Sequence, residues 1–504
     1  MILQFARDLV ARKPVGAAIA QAAESEGSRR EASPVRPTVL AAGSMIGAGA
    51  YLVLAQAAAH QAGPGVVVSI LAAAALCALV ALCRAELASH VPVSGTLYAH
   101  AYPTLGELPA WLCAWLLVFA AVMGVAAVAQ AWSGPWQGLL EGLNLGTPGL
   151  WSSAPFASDG LELTATGAVM DMPAAFVVGL AALLLVSGVS QGGLLYTIVV
   201  TLKLMVLLVA VAAGAVLVDP ELWRPLVAEG PAFPRGQPGR FGWAGVTTGT
   251  ALAVFAFLGF DRVWAAPRAP ASSTRARTVA VFAAIGACAL LFILTALVLT
   301  GAAGSEALDV RSPLTLVVGA SPGGRWLVQP LNLLLVIALG STVLGLLHAN
   351  ARLLQATSRD RLLPRALDRV HPHTGALTVG VAAPALFAGF AAALLPLWTL
   401  VALASGASLL AFAILCGGVV WLRLGRRALA TGFRMPVWWL VAPLGLLGCL
   451  YLVYSLGRST MAWLGVWLVF GLIVYFVYGY WRSPHHQRRP DPDDDEVTSP
   501  PPPG

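Results

Sequence analysis

Residues 194–218 read LLYTIVVTLKLMVLLVAVAAGAVLV, and this stretch decides the class of fold. About 20 apolar residues in a helix cross a bilayer core of roughly 30 Å, so the segment is long enough to span a membrane. Its one charge is Lys203, placed well inside both ends. An ionisable group at that depth is costly and is a functional candidate by default. Lysine can shed its proton when desolvated, which arginine does not, so Lys203 reads as a candidate proton carrier. The structural alternative is a lysine whose stem snorkels to the interface.

The rest of the chain is of the same kind. Its 504 residues are 58% hydrophobic and 11% charged, with a mean hydropathy of +0.79. That composition excludes an ordinary soluble domain. Twelve spans are expected: Val39–Ala59, Gly65–Leu82, Leu108–Gln130, Ala174–Val189, Leu194–Val218, Trp243–Trp264, Val279–Thr300, Trp326–Ala349, Val379–Leu395, Trp398–Trp421, Trp438–Leu456 and Ala462–Tyr480. The fold class is therefore an all-α polytopic membrane protein.

The net charge of +7 records topology rather than a nucleic-acid partner. With the N-terminus placed in the cytoplasm, 23 of the 30 Lys and Arg residues fall inside and six outside, and Lys203 completes the set. The long segment from Ser133 to Met172 holds none, which suits translocation. Both termini are thus expected in the cytoplasm, with the protein multi-pass in the cell's inner (plasma) membrane. Six scattered cysteines lack metal-ligand or disulfide spacing and read as small apolar packers, so no metal or cofactor is expected. No nucleophile–base pair stands out on the spans, which argues against an enzyme.

Two spans carry glycine interruptions. The first reads TVLAAGSMIGAGAYLVLAQAA (38–58), with Gly43, Gly47 and Gly49 near its middle. Glycine weakens a helix and lets the backbone approach a ligand, although small residues at this spacing also make a packing seam. The sixth reads GWAGVTTGTALAVFAFLGFDRVWAA (242–266), where Gly259 and Asp261 interrupt an apolar helix and Arg262 follows as a candidate charge partner. Paired interruptions at corresponding places in two halves are the best sequence pointer to a transporter's central site. Half-helix N-termini suit a carboxylate and freed carbonyls suit an ammonium, so a zwitterionic α-amino acid matches both ends.

With these segments in view, the chain resembles the amino acid–polyamine–organocation superfamily, and within it the cationic amino acid transporter branch. The resemblance rests on GSMIGAGAYLVLAQAAAHQAGPG (43–65), AELASHVPVSGTLYAHAYPTLGELPAW (85–111), VAAVAQAWSG (125–134), LKLMVLL (202–208), FAFLGFD (255–261), RLLQATSRDRLLPRALDRVHPHTGA (352–376), FRMPVWWLVAPLG (433–445) and FGLIVYFVYGYWRS (470–483). It implies two inverted five-helix repeats, 37–218 and 219–423, followed by two further helices at 424–483. These lie between a cytoplasmic N-terminal segment (1–36) and a Pro- and Asp-rich tail (484–504) expected to be disordered. The resemblance also implies backbone contacts to substrate from Met45, Ala48 and Gly49 in the first break, and from Phe255, Ala256 and Leu258 in the sixth. It puts Lys203 at the position of a proton-coupling lysine.

The departures shape the expected cargo. Arg268 and Ala269 replace a pair of acids that the branch carries after the sixth helix, and Ala120 replaces an acid of the third. A cationic side chain in a membrane cavity needs a compensating anion. A neutral amino acid, carried in with a proton, is therefore expected over arginine or lysine. The rival readings are a cationic amino acid transporter and a transport-inactive sensor or accessory membrane protein. As partners the chain implies an amino acid and the lipid bilayer, with a homo-oligomer or a small single-span subunit left open.

Overall fold

The computed structural model describes residues 11–14, 16–17, 35–91, 95–146, 148–158, 163–189, 193–227, 241–265, 274–425 and 433–483. Helix lies over each of the expected apolar segments. We label the α-helices α1 (Val35–Met45), α2 (Val66–His90), α3 (Leu97–Leu105), α4 (Glu107–Gly142), α5 (Met172–Val186), α6 (Gly193–Gly214), α7 (Gly242–Phe257) and α8 (Arg262–Ala265). There follow α9 (Thr274–Ala303), α10 (Pro313–Ala320), α11 (Val328–Arg359), α12 (Thr378–Leu394), α13 (Leu397–Leu424), α14 (Trp438–Ser455) and α15 (Arg458–Val474). Between α1 and α2 the chain continues helically through residues 49–62, as two π-helical turns around one α-helical turn.

Among the described residues, nine helical stretches are long and apolar enough to cross a membrane, and α5 and α12 are shorter apolar helices. At about 1.5 Å per residue the 15-residue α5 reaches roughly 22 Å, short of a full hydrocarbon core. Its start is set by Asp171, whose carboxylate accepts the Ala174 N–H at 3.0 Å, with Pro173 behind it.

Burial separates centre from rim. The apolar windows of α4 and α13 are 72% and 83% buried, whereas the stretch from Arg458 to Arg482 is 22% buried. Helix α4 packs along both α11 and α13, and α7 and α9 pack on α2. Hydropathy cannot make this distinction, since a lipid-facing and a protein-facing leucine satisfy the same pattern. The loop from α4 to α5 carries a small antiparallel hairpin, β1 (Phe156–Ser158) against β2 (Leu163–Ala165).

Helix α2 runs to His90, beyond the expected end at Leu82, so Glu86 sits inside it. That is possible because the carboxylate is fully paired. Arg423 Nε donates to it at 2.6 Å and the Met435 N–H at 3.1 Å. Glu107, in the first turn of α4, accepts hydrogen bonds from Tyr102 (2.7 Å), Tyr475 (2.9 Å) and Ser483. Lys13, from the N-terminal segment, pairs with Asp360 at 2.5 Å, and Tyr98 donates to the other oxygen of Asp360 at 2.8 Å. Burial, reinforced by Asp360, pushes the Tyr98 phenol well above its ordinary range and keeps it a donor. Tyr98 and Tyr102 are therefore parts of a buried cluster rather than the interfacial anchors their type suggests.

Candidate transport site

Helix α1 ends at Met45, and Ile46 and Gly47 are non-helical before the chain turns helical again at Ala48. Helix α7 ends at Phe257, and residues 258–261 form a turn before α8. The last carbonyls of a helix and the first amides of the next lack intrahelical partners, which is what each interruption lays bare. In the sixth-span break some of these are taken up locally: Leu258 N–H donates to the Phe255 carbonyl at 3.2 Å and Arg262 N–H to that of Gly259 at 3.0 Å.

The glycines divide the work. Gly259 has φ +108°, a conformation open to glycine, and a Cβ there would lie 2.7 Å from Ser44 Oγ. Gly47 lies in the first break. Gly43 does not break the helix: it is inside α1, where a Cβ would meet Val200 Cγ2 of α6 at 2.2 Å. Gly49 is likewise a contact glycine, since its Cβ would fall 2.3 Å from the Cα of Ala256. The packing seam and the broken helix, rival readings of one glycine cluster, are both present at different positions.

The two interrupted spans clasp one another. Ser44 Oγ stands 2.8 Å from the Ala41 carbonyl and 2.9 Å from that of Gly259, so one hydroxyl bridges the breaks. Gly49 against Ala256 closes them a turn further on. Met45, Ala48, Phe255 and Ala256 are buried in this packing and Leu258 is half-buried. None of these six backbone candidates lines the cavity beside them.

Open space lies to one side. A cavity of about 370 Å³ is bounded by Gly43 and Ser44 of α1, Lys203 and Tyr196 of α6, Arg262 of α8 and Thr342 of α11, with Trp132, Val177 and other apolar side chains completing the wall. Lys203 is 4% exposed; its Nζ donates to the Gly43 carbonyl at 3.1 Å, and Tyr51 Oη donates to the Lys203 carbonyl at 3.0 Å. The lysine is thus tied to the carbonyl end of α1 and has not snorkelled away. Arg262 donates to the Gly345 carbonyl at 3.3 Å. Among the described residues, no carboxylate lines the cavity.

One expected contact is corrected. Asp261 faces Arg84 at 3.9 Å rather than Arg262, because the turn at 258–261 directs neighbouring side chains to opposite sides. Arg84 is buried on α2 and also donates to the Gly95 carbonyl at 3.2 Å. The expected second span ends at Leu82 and leaves Arg84 outside it, whereas the helix runs on and carries Arg84 within it. Tyr196, Trp132 and Thr342 carried no sequence signal. Arg268 and Ala269 lie outside the described residues.

At the start of α5, Asp171 is 6% exposed and accepts from Ser133 Oγ at 2.8 Å as well as from Ala174. Burial pushes its carboxyl up to about 6 against the pull of these donors and of Arg311. Arg311 donates to Gln137 Oε1 (2.6 Å) and to the Ser152 carbonyl (2.8 Å), fastening the loop between α4 and α5 to the end of α4.

Comparison with known proteins gives a consistent picture. A family model described as amino acid permease matches residues 33–458. The chain is 31% identical over 468 residues to the branched-chain amino acid permease BcaP of Bacillus subtilis (strain 168), covering 93% of this chain and 97% of that protein. It is also 31% identical over 480 residues to a methylthioribose transporter of the same organism, with the same coverage. Over 419 residues it is 30% identical to cationic amino acid transporter 2, vacuolar, of Arabidopsis thaliana, covering 83% of this chain and 64% of that protein.

Proposed function

Because this chain belongs to the amino acid permease family, we propose that it is a secondary-active permease of the plasma membrane, importing a neutral α-amino acid with a proton by alternating access. In this reading the chain crosses the bilayer twelve times with both termini in the cytoplasm. The interrupted first and sixth spans open two inverted five-helix repeats.

The observation that carries the reading is the clasp between the two breaks, with Lys203 tied to one of them. Parting Ser44 from Gly259 and Gly49 from Ala256 opens the Ala48 and Gly49 amides to a carboxylate, with the Met45 carbonyl beside them. It likewise opens the carbonyls of Ala256 and Leu258, and the remaining lone pair of the Phe255 carbonyl that Leu258 N–H already engages, to an ammonium. Substrate that binds only the parted arrangement shifts the balance between the two. Protonated Lys203 holds the Gly43 carbonyl with a charge-assisted bond, and loss of the proton weakens that tie. Proton occupancy thereby biases the position of α1.

The walls support a neutral cargo. Among the described residues two cations, Lys203 and Arg262, and no acid line a mainly apolar cavity, so a lysine or arginine side chain would meet repulsion from them. A branched aliphatic side chain suits those walls.

The test is uptake into proteoliposomes with and without an imposed pH gradient. Wild type should accumulate leucine, isoleucine or valine only with the gradient. Lys203→Met should still exchange substrate but lose the gradient's effect; coupling that survives the substitution removes the proton role. In competition against labelled leucine, an advantage for arginine and lysine would overturn the neutral assignment.

A further inference from the structure

One residue of α6 holds both halves of the first span. Lys203 Nζ donates to the Gly43 carbonyl at 3.1 Å, inside α1, and the Lys203 carbonyl accepts from Tyr51 Oη at 3.0 Å. Tyr51 belongs to the π-helical turn Gly49–Val53, which lies beyond the non-helical Ile46 and Gly47. From 43 to 51 a helix rises about 12 Å. The lysine stem reaches one way across that gap and the tyrosine ring reaches the other.

The two ties differ in kind. The amine is bonded through a flexible four-carbon stem, and its bond weakens when the proton leaves. Tyr51 bonds a neutral hydroxyl to a backbone carbonyl that α6 fixes in place, so this tie is the same whether Lys203 is charged or not. Tyr51 is 3% exposed. A hydroxyl buried so deeply costs free energy unless it is bonded, and phenylalanine would fill the same space without that need. A carbonyl within a helix keeps a second lone pair, and Tyr51 takes it. Gly49 against Ala256 gives the same turn another fixed contact. The end of α1, by contrast, is held to α6 through the charged amine.

We propose that Tyr51 is a positioning residue for the coupling step, keying the second half of the first span to α6 so that deprotonation of Lys203 releases α1 alone, about Ile46 and Gly47. This rests on the permease reading with the proton at Lys203. Without the Tyr51 bond both halves loosen together and the break does not open at one place.

Other ionisable groups face this region. Arg262 of α8 and Tyr196 of α6 share the cavity wall with Lys203. Cys288 of α9 stands 4.0 Å from the Ala42 carbonyl, and His348 of α11 is within electrostatic reach of Arg262. Helix α10 contributes no titratable side chain. Histidine titrates near neutrality, so a variant at Lys203 itself is needed to assign a pH response.

The test follows hydrogen exchange by mass spectrometry on the full chain in nanodiscs, as protection factors for residues 39–47 and 49–57 at pH 6 and pH 9. At the higher pH wild type should lose about fivefold in protection over 39–47, the size of one buried hydrogen bond, with 49–57 unchanged. Lys203→Met should abolish that difference, which separates it from His348. Tyr51→Phe should lose protection over both segments at pH 9. In proteoliposomes its gradient-driven accumulation should fall about fivefold while exchange stays within about twofold. Thr295→Val removes a different buried hydroxyl, which bonds the Leu291 carbonyl at 2.8 Å. It should leave the pH response of both segments as in wild type, whatever it costs in melting temperature. A Tyr51→Phe protein that responds as wild type does overturns the role of Tyr51 and leaves the proton role of Lys203 standing. So does a Thr295→Val protein that behaves like Tyr51→Phe. Loss of protection over 49–57 in wild type at pH 9 overturns it without any variant. A wild type in which neither segment responds to pH overturns both roles.

Discussion

Replacing Gly259 by alanine should strike the clasp directly. Two costs are visible. The backbone at φ +108° is one that L-residues rarely adopt, a penalty of about 1–3 kcal/mol. The new methyl group would sit 2.7 Å from Ser44 Oγ and 3.0 Å from Ser44 Cβ, and overpacking of this kind costs about 1–3 kcal/mol. Together Gly259→Ala should destabilise by about 2–6 kcal/mol. Ser44→Gly removes the side chain that the methyl meets, so Ser44→Gly/Gly259→Ala should recover the steric share and keep the backbone share. Thermal unfolding in detergent, run on all four members of the cycle, separates the two. If Gly259→Ala melts with wild type, or if the double variant is the simple sum of the singles, the two breaks do not meet as described.

Other expectations concern the ends of the spans. The Asp171 carboxyl is raised from 3.8 to about 6, so the native state holds the proton more tightly than the unfolded chain. Its contribution is fully present below pH 3.8 and is lost as pH rises through 6, an amount of about 3 kcal/mol. Melting temperature should therefore rise as pH falls from 8 to 5, and Asp171→Asn, which keeps the acceptor, should flatten that slope and melt higher at pH 8. Where the N-terminal segment meets the end of α11, Lys13→Ala and Asp360→Asn should each lower stability. A double-mutant cycle should give a coupling of about 0.5–3 kcal/mol, and a coupling of zero would mean that the N-terminal segment is not held by this pair.

Much of this molecule is written locally. The span pattern and the glycine interruptions at 47 and 259 are properties of short stretches, because a bilayer imposes length and apolarity on each helix separately. Lys203 announced itself for the same reason: a charge within an apolar run needs no neighbour to be noticed. The choice of partners is another matter, since it depends on which helix faces which. That Asp261 meets Arg84 rather than Arg262, that Gly43 packs on Val200 while Gly47 interrupts, and that Lys13 reaches Asp360 across the chain follow from helix contacts between residues far apart in sequence. The cavity itself, walled by Tyr196, Trp132 and Thr342 from three helices, exists only once those helices are assembled. A sequence sets what each segment can bury; the assembled tertiary structure sets what it is buried against.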